Sequence, residues 1–289
     1  MTIYTAKTTF DAYIYTDAHC HLHLPSLRSQ LEKITSDNPQ FCLVSASTGA
    51  GDWPLLENVQ QEMRRHFPQS RFFICLGYHP QEAAKFRTDS DSLERALEQL
   101  ERAVRSSKNS LAAVGEIGLD KCLIGKFPAE QREQVKSLQT KLLKAQLEIA
   151  QRYGKPAVLH CVRAHGALQD TLRHFPALPI SLLHGFYGSP DLLRSYLKHG
   201  LYISLSASLL LRDSAAPDWP DKKLHWQVLA DLLPLERLLL ESDSCQNYDG
   251  SPTPPRTTAQ TAAVLAELYR CSTETILEQA WSNLQNWLL

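Results

Sequence analysis

The sequence has no C-x-x-C pair, and its seven cysteines (Cys20, Cys42, Cys75, Cys122, Cys161, Cys245 and Cys271) are odd in number. Several sit in apolar runs, such as Cys42 in Phe41-Cys42-Leu43-Val44, so buried free thiols in a reducing compartment are expected rather than a disulfide framework. No apolar segment approaches the ~20 residues of a membrane span. Residues 1–7, Met1-Thr2-Ile3-Tyr4-Thr5-Ala6-Lys7, lack the apolar stretch and small-residue cleavage site of a signal peptide, so a cytoplasmic protein with no membrane association is expected. The chain also lacks an excess of positive charge: 30 basic against 31 acidic residues leave a formal net charge of −1. No global field would draw in a polyanion, so a nucleic-acid substrate would have to be gripped locally. Long linkers, low-complexity tracts and internal repeats are absent too.

What is present is a regular alternation. An apolar fraction of 43% over 289 residues suffices for a sizeable core. Eight short β-rich apolar runs fall near residues 12–18, 41–47, 71–77, 111–115, 156–161, 179–183, 201–205 and 237–242, with helical stretches between them. The stretch 129–153 carries Val135, Leu138, Leu142, Ala145 and Ile149 at helical spacing, after Pro128 and before Gly154. The stretch 91–105 opens with Asp91 three residues before Glu94, a capping-box spacing, and turns Leu93, Leu97, Leu100 and Val104 inward. Eight strands separated by helices pair in parallel through crossovers and can close into an α/β TIM (β/α)₈ barrel; a doubly wound open sheet is the competing reading, because periodicity does not report closure. A single domain over 1–289 is the economical division.

Polar residues recur where these strands end. His19 and His21 in Thr16-Asp17-Ala18-His19-Cys20-His21 are two apart, so a strand aims both imidazoles to one face, as two ligands of one metal require. By itself this pair could equally be an ordinary polar strand end. Glu116, in Val114-Gly115-Glu116-Ile117-Gly118-Leu119-Asp120, could be a structural partner for an arginine or, with histidines nearby, a carboxylate bridging two cations. His160, His184 and Asp243 each stand one step past an apolar strand, at the edge where barrel active sites lie. One histidine at such a place is usually a satisfied loop residue. Four histidines and two carboxylates at successive strand ends are not explained that way.

In order and spacing these segments, with Gly77-Tyr78-His79-Pro80 and His184-Gly185-Phe186-Tyr187-Gly188-Ser189, closely resemble the TatD family of metal-dependent hydrolases of the amidohydrolase superfamily, over residues 14 to about 285. The resemblance implies a TIM barrel, two divalent metals and hydrolytic, usually DNase, activity. By position it implies that His19, His21 and Asp243 hold one metal, that His160 and His184 hold the other, and that Glu116 bridges them. His79 matches a histidine beside the family's site, in contact with the scissile phosphate or its neighbour. The chain departs from the family pattern at Gln81, at Lys121-Cys122, in the spacing of Arg163 from His160, and at Ser242-Asp243-Ser244-Cys245 with the short proline-rich stretch that follows.

Imidazole and carboxylate ligands without thiolate suit Mg²⁺, Mn²⁺ or Zn²⁺; Cys20 and Cys161 are expected on the opposite face of their strands from the ligands. Asp243 is the candidate general base, with Glu116 and His79 completing the catalytic set. Arg163, Lys121, Lys126 and Arg256 are candidate phosphate contacts, and Tyr187 and Tyr248 could stack a base. His23, His66, His165, His174, His199 and His225 are expected on helices or the surface. The leading expectation is a phosphodiesterase of 3′→5′ exonuclease type on single-stranded DNA or 3′ ends, with no obligate protein partner. The alternative is hydrolysis of a carboxylic ester or amide, such as a misacylated tRNA or a small metabolite. A non-enzymatic barrel within a nucleic-acid-processing complex ranks last, because no ligand is missing.

Overall fold

A computed structural model describes residues 15–24, 40–87, 90–107, 110–243 and 257–288. Its eight strands form one sheet in sequence order: β1 Tyr15–Cys20, β2 Phe41–Ala46, β3 Arg71–Leu76, β4 Leu111–Asp120, β5 Ala157–Val162, β6 Leu182–Phe186, β7 Tyr202–Leu205 and β8 Leu238–Leu239. Each pairs in parallel with the next. The ends of the sheet then meet. Ala18 N–H donates to the Leu240 carbonyl at 2.8 Å, and Asp243 N–H donates to the His19 carbonyl at 3.0 Å. The seam is reinforced by the Asp17 carboxylate, which accepts from Ser242 N–H at 3.0 Å and from its hydroxyl at 2.5 Å. These contacts exclude the open sheet.

Strand periodicity explains the two buried layers. Phe41, Leu43, Ile74 and Leu76 pack outward with the helices, whereas alternate residues Cys42, Val44, Cys75, Ala113, Val158 and Leu182 join a separate buried set with Leu239 and Trp287. That second face mixes small residues such as Cys42, Cys75 and Ala113 with larger ones such as Leu182 and Leu239, which together fill the space the eight strands enclose. The outer layer comprises α1 Trp53–His66, α2 Ser90–Ser106, α3 Lys121–Gly125, α4 Ala129–Arg152, α5 His165–Leu172, α6 Pro190–Lys198, α7 Ala207–Ser214, α8 Trp219–Leu232, α9 Thr257–Tyr269 and α10 Thr273–Leu288.

Several boundaries differ from the sequence reading. β4 runs through to Asp120, so Glu116 lies inside a strand rather than closing one. β6 starts at Leu182, because Pro179 has no N–H for a ladder and Ile180 is exposed. α2 begins at Ser90, which puts Asp91 in its first turn instead of at its cap. The buried stripe of α4 keeps Val135, Leu142 and Ile149 but takes in Gln139 and Gln146 rather than Leu138 and Ala145. Expected strand positions 12–14 lie outside the described residues.

His23, expected on a helix or at the surface, is buried in the turn after β1, with Nε2 3.4 Å from an oxygen of Asp52. That same oxygen accepts from Thr48 N–H at 2.7 Å, the Thr48 hydroxyl at 2.8 Å and Gly49 N–H at 3.2 Å, pinning the loop after β2. Burial pushes the Asp52 carboxyl up, but the His23 and Thr48 hydrogen bonds outweigh it and hold the group below the usual carboxylate range. A depressed carboxyl stabilises the fold above its unfolded pKa, and that contribution is lost as pH falls through the folded one. Asp52→Asn is therefore expected to lower stability by about 2 kcal/mol at neutral pH. Denaturant titration should show the gap to wild type closing as the pH is taken below about 4.

Candidate metal centre

Four histidines, one glutamate and one aspartate from strands far apart in sequence converge at the C-terminal mouth of the barrel. The two oxygens of Glu116, a buried residue of β4, divide them. Oε2 faces His19 Nε2 and His21 Nε2, each at 3.5 Å. Both of those nitrogens lie 3.7 Å from Oδ1 of Asp243. Oε1 faces His160 Nδ1 at 2.6 Å, His184 Nε2 at 2.8 Å and His79 Nε2 at 3.6 Å. Among the described residues, ligand atoms close enough to share a cation occur in three overlapping sets: His19, His21 and Asp243; His19, Glu116 and His184; and His79, Glu116 and His160. His19 and His184 stack at 4.0 Å between ring centroids, which places His19 between the two sides.

The local sequence explains each placement. Gly118 lets β4 pass β5 at His160, for a Cβ there would lie 1.9 Å from the His160 carbonyl oxygen. Asp243 takes a left-handed backbone, φ 48°, a conformation Asp tolerates better than most residues. The glutamines of α4 clamp the loops. Gln146 accepts from Tyr78 N–H at 2.7 Å and donates to the Tyr78 carbonyl at 3.0 Å. Gln139 does the same for Asp120, at 3.1 and 3.2 Å.

Polar groups behind the rings decide which nitrogen faces inward. The Ala46 carbonyl can only accept, so His21 Nδ1, 2.9 Å away, carries the hydrogen and Nε2 presents a lone pair to the cluster. Asp120 lies 3.6 Å behind Nε2 of His160, and Glu241 lies 3.7 Å behind Nδ1 of His184. Glu241 is itself held by the Ser204 hydroxyl at 2.5 Å, and Asp120 by the N–H groups of Cys122 and Leu123 at 2.7 and 3.1 Å. Carboxylates and carbonyls behind imidazoles are the arrangement that orients metal-binding histidines. His79 is the exception. Its Nδ1 accepts from Gln81 N–H at 3.2 Å, so the neutral ring holds its hydrogen on Nε2, facing Glu116 as a donor.

Electrostatics follow from this packing. Burial pushes Glu116 up, but His184, His79 and His160 outweigh it and hold the carboxyl well below its usual range. His184 is raised well above the ordinary imidazole value and His160 is also raised, in each case because Glu116 and a second carboxylate overcome burial. Burial takes His21 and His79 down to about 4, leaving both neutral at physiological pH.

The donor set fits divalent cations. His19 is fully buried and neither of its ring nitrogens has a hydrogen-bond partner, a costly state in an apolar interior unless something else meets the lone pair. The thiols next in sequence to His19 and His160 meet other partners. Cys20 donates to the Val44 carbonyl at 3.3 Å, and the Cys161 sulfur meets His165 at 3.4 Å, with Tyr196 beyond.

Above the cluster opens a cavity of about 540 Å³ bordered by His160, His184, Asp243, Arg163 and Tyr187. Arg163, expected to contact substrate, stands exposed on this cavity. Lys121 does not border it but lies on the neighbouring cavity, while Cys122, the next residue of α3, does border it. Lys126 is exposed, and Arg256 and Tyr248 lie outside the described residues. Tyr187, 48% exposed, leans on His225 and Trp226 at 5.3 and 5.5 Å between rings. His165 and His225 are half-buried, whereas His66, His174 and His199 are exposed as expected.

Sequence reading assigned no role to Asp120, Glu241, Gln139 or Gln146. Asp120 and Glu241 had a signal, as carboxylates four residues after Glu116 and two before Asp243. The glutamines had none, being polar positions within a helix. Asp120→Asn is expected to cost about 10–100-fold in cation affinity or in rate, as lost support behind a metal-binding histidine usually does. Competition titration with a chelating dye, run beside kinetics, checks it.

Comparison with known proteins adds to this geometry. The family model described as TatD related DNase matches residues 16–288. The chain is 28% identical over 277 residues to the uncharacterized metal-dependent hydrolase YjjV of Escherichia coli K12, covering 93% of this chain and 95% of that one. It is 33% identical over 169 residues to the 3′-5′ ssDNA/RNA exonuclease TatD of Edwardsiella piscicida, covering 58% and 56% of the two chains. The crystal structure of YjjV superposes with a TM-score of 0.73 at 26% identity, over 95% of this chain and 97% of the other.

Proposed function

The chain belongs to the family of TatD-related DNases, and from that premise we propose that residues 1–289 form one metal-dependent phosphodiesterase that removes nucleotides from the 3′ end of single-stranded nucleic acid. The observation that carries the reading is the division at Glu116, whose two oxygens face two different groups of imidazoles. That division supports two divalent cations, Mg²⁺, Mn²⁺ or Zn²⁺, one beside His19, His21 and Asp243 and the other beside His160 and His184, with Glu116 between them. Such cations supply Lewis-acid activation of water and neutralise charge on the leaving oxygen.

The residues of the chain do the rest. Asp243 is the general base. Its side chain is 36% exposed and borders the cavity, so a carboxylate oxygen can take a proton from the attacking water while the other side of the group stays in the cluster. His79 donates its Nε2 hydrogen to a non-bridging phosphoryl oxygen, a role its hydrogen bond from Gln81 prepares. Arg163 meets a phosphate at the rim, and Tyr187, braced by two rings, offers a face for a base. The 3′→5′ direction draws support from the named activity of the Edwardsiella relative.

A reducing interior suits the free thiols described, and no described helix is long and apolar enough to cross a membrane. The test is direct. Protein loaded with Mg²⁺ or Mn²⁺ and given 5′-labelled single strands should yield a ladder shortening from the 3′ end. Intact strands, or faster cleavage of acyl esters assayed in parallel, would overturn the proposal.

A further inference from the structure

Beside the metal-centre cavity lies a second one of about 480 Å³, between α3, α4 and α5. The two share Arg163 and His165, so they adjoin at that corner. Four exposed cations border the second cavity: Lys121 on α3, Arg132 and Lys136 on α4, and Arg163 after β5. Glu133 is the one carboxylate among the lining residues. In a chain of net charge −1, this is a local reversal of the average. Its floor is aliphatic, with buried Leu119 and half-buried Ile124 and Ala164. A cation-rimmed trough with an apolar floor suits a chain of phosphates carrying flat, partly apolar bases.

We infer that this trough is a phosphate-binding extension of the site, holding the body of a single strand whose end lies at the metal centre. The inference rests on the nucleic-acid reading above and adds a length requirement to it. Lys121 and Arg163 make no ion pair among the described residues, so their charge is open to a ligand. Arg132 is pre-positioned by the carbonyls of Phe127 and Gly125, at 2.8 and 3.3 Å from its nitrogens, and keeps further N–H groups for a phosphate. Lys136 pairs with Glu133 at 3.2 Å, an exposed i,i+3 contact worth little and readily exchanged for a phosphate. Arg163 has a left-handed backbone, φ 53°, at the corner where the cavities join, and it would hand the strand from one to the other. A substrate too short to leave the metal centre would gain nothing from these groups. The enzyme should therefore prefer strands over small diesters through KM.

The experiment compares KM for an oligodeoxynucleotide and for bis(p-nitrophenyl) phosphate, over a range of salt, in wild type and in the double variant Arg132→Ala/Lys136→Ala. Loss of two phosphate contacts should raise KM for the strand roughly tenfold and reduce the slope of log affinity against log salt by roughly 0.7 per contact, as for single strands. The preference for the strand over the small diester should fall by the same factor. Lys136→Glu, a surface change, repeats the test should the double variant fold poorly. Unchanged strand KM and salt slope, or an equal loss on both substrates, would overturn the inference. Wild-type protein that cleaves the small diester but neither binds nor cuts the strand would instead sink the nuclease reading itself.

Discussion

Replacing Glu116 by alanine is expected to remove cation binding and hydrolysis together while leaving the metal-free fold standing. Glu116 supplies both oxygens around which His19, His21, His160 and His184 gather, and both proposed cations would lose a ligand at once. Removing a partner behind a metal-binding histidine costs about 10–100-fold, and removing a shared ligand should exceed that range. The expectation for stability is different. Glu116 is held as an anion largely by its imidazole neighbours, and without it those imidazoles can release protons instead of remaining as orphaned charges. Metal-free melting should therefore shift by no more than about 1 kcal/mol, some 2–4 °C for a chain approaching this size. A purely structural glutamate would behave in the opposite way, with a collapse in stability of about 3–5 kcal/mol as in a broken buried ion pair. Calorimetry of the metal-free variant, beside a cation titration and a strand-cleavage assay, separates the two.

Asp243→Asn should reduce kcat by about 10²- to 10⁴-fold, the usual contribution of a positioned general base, with KM for the strand little changed. Asparagine has the shape of aspartate and also tolerates the left-handed backbone that residue 243 adopts, so the seam between β8 and β1 should survive. Burial pushes the Asp243 carboxyl up, but His184, His19 and His21 outweigh it and keep the group below the usual carboxylate range. The proposed base is accordingly ionised at neutral pH, and the variant would lose a group ready to accept a proton. Steady-state kinetics at fixed cation saturation checks the expectation. A fall explained wholly by lost cation would assign Asp243 to ligation alone.

The barrel and its mouth were legible because they depend on local, repeating features. Eight apolar runs with helical stretches between them specify parallel strands, and polar residues just beyond those runs specify one rim. Closure was not legible. It depends on Ala18 meeting Leu240 and on Asp17 meeting Ser242, contacts between opposite ends of the chain that no period encodes. The same limit hid the supporting groups. Asp120, Glu241 and His23 act through neighbours brought up by other strands, and Gln139 and Gln146 look like surface positions until α4 turns them onto the loops of Asp120 and Tyr78. Which cavity Lys121 borders was hidden for a related reason. Its position after β4 suggested the rim of the metal centre, and within α3 it is Cys122 that borders that cavity while Lys121 borders the adjoining trough.

Crystals soaked in Mn²⁺ and measured for anomalous scattering would test the central claim most directly. Two peaks separated by Glu116 are expected, one beside His19, His21 and Asp243 and the other beside His160 and His184. No peak within reach of the Glu116 carboxylate, or density only at surface carboxylates, would contradict it.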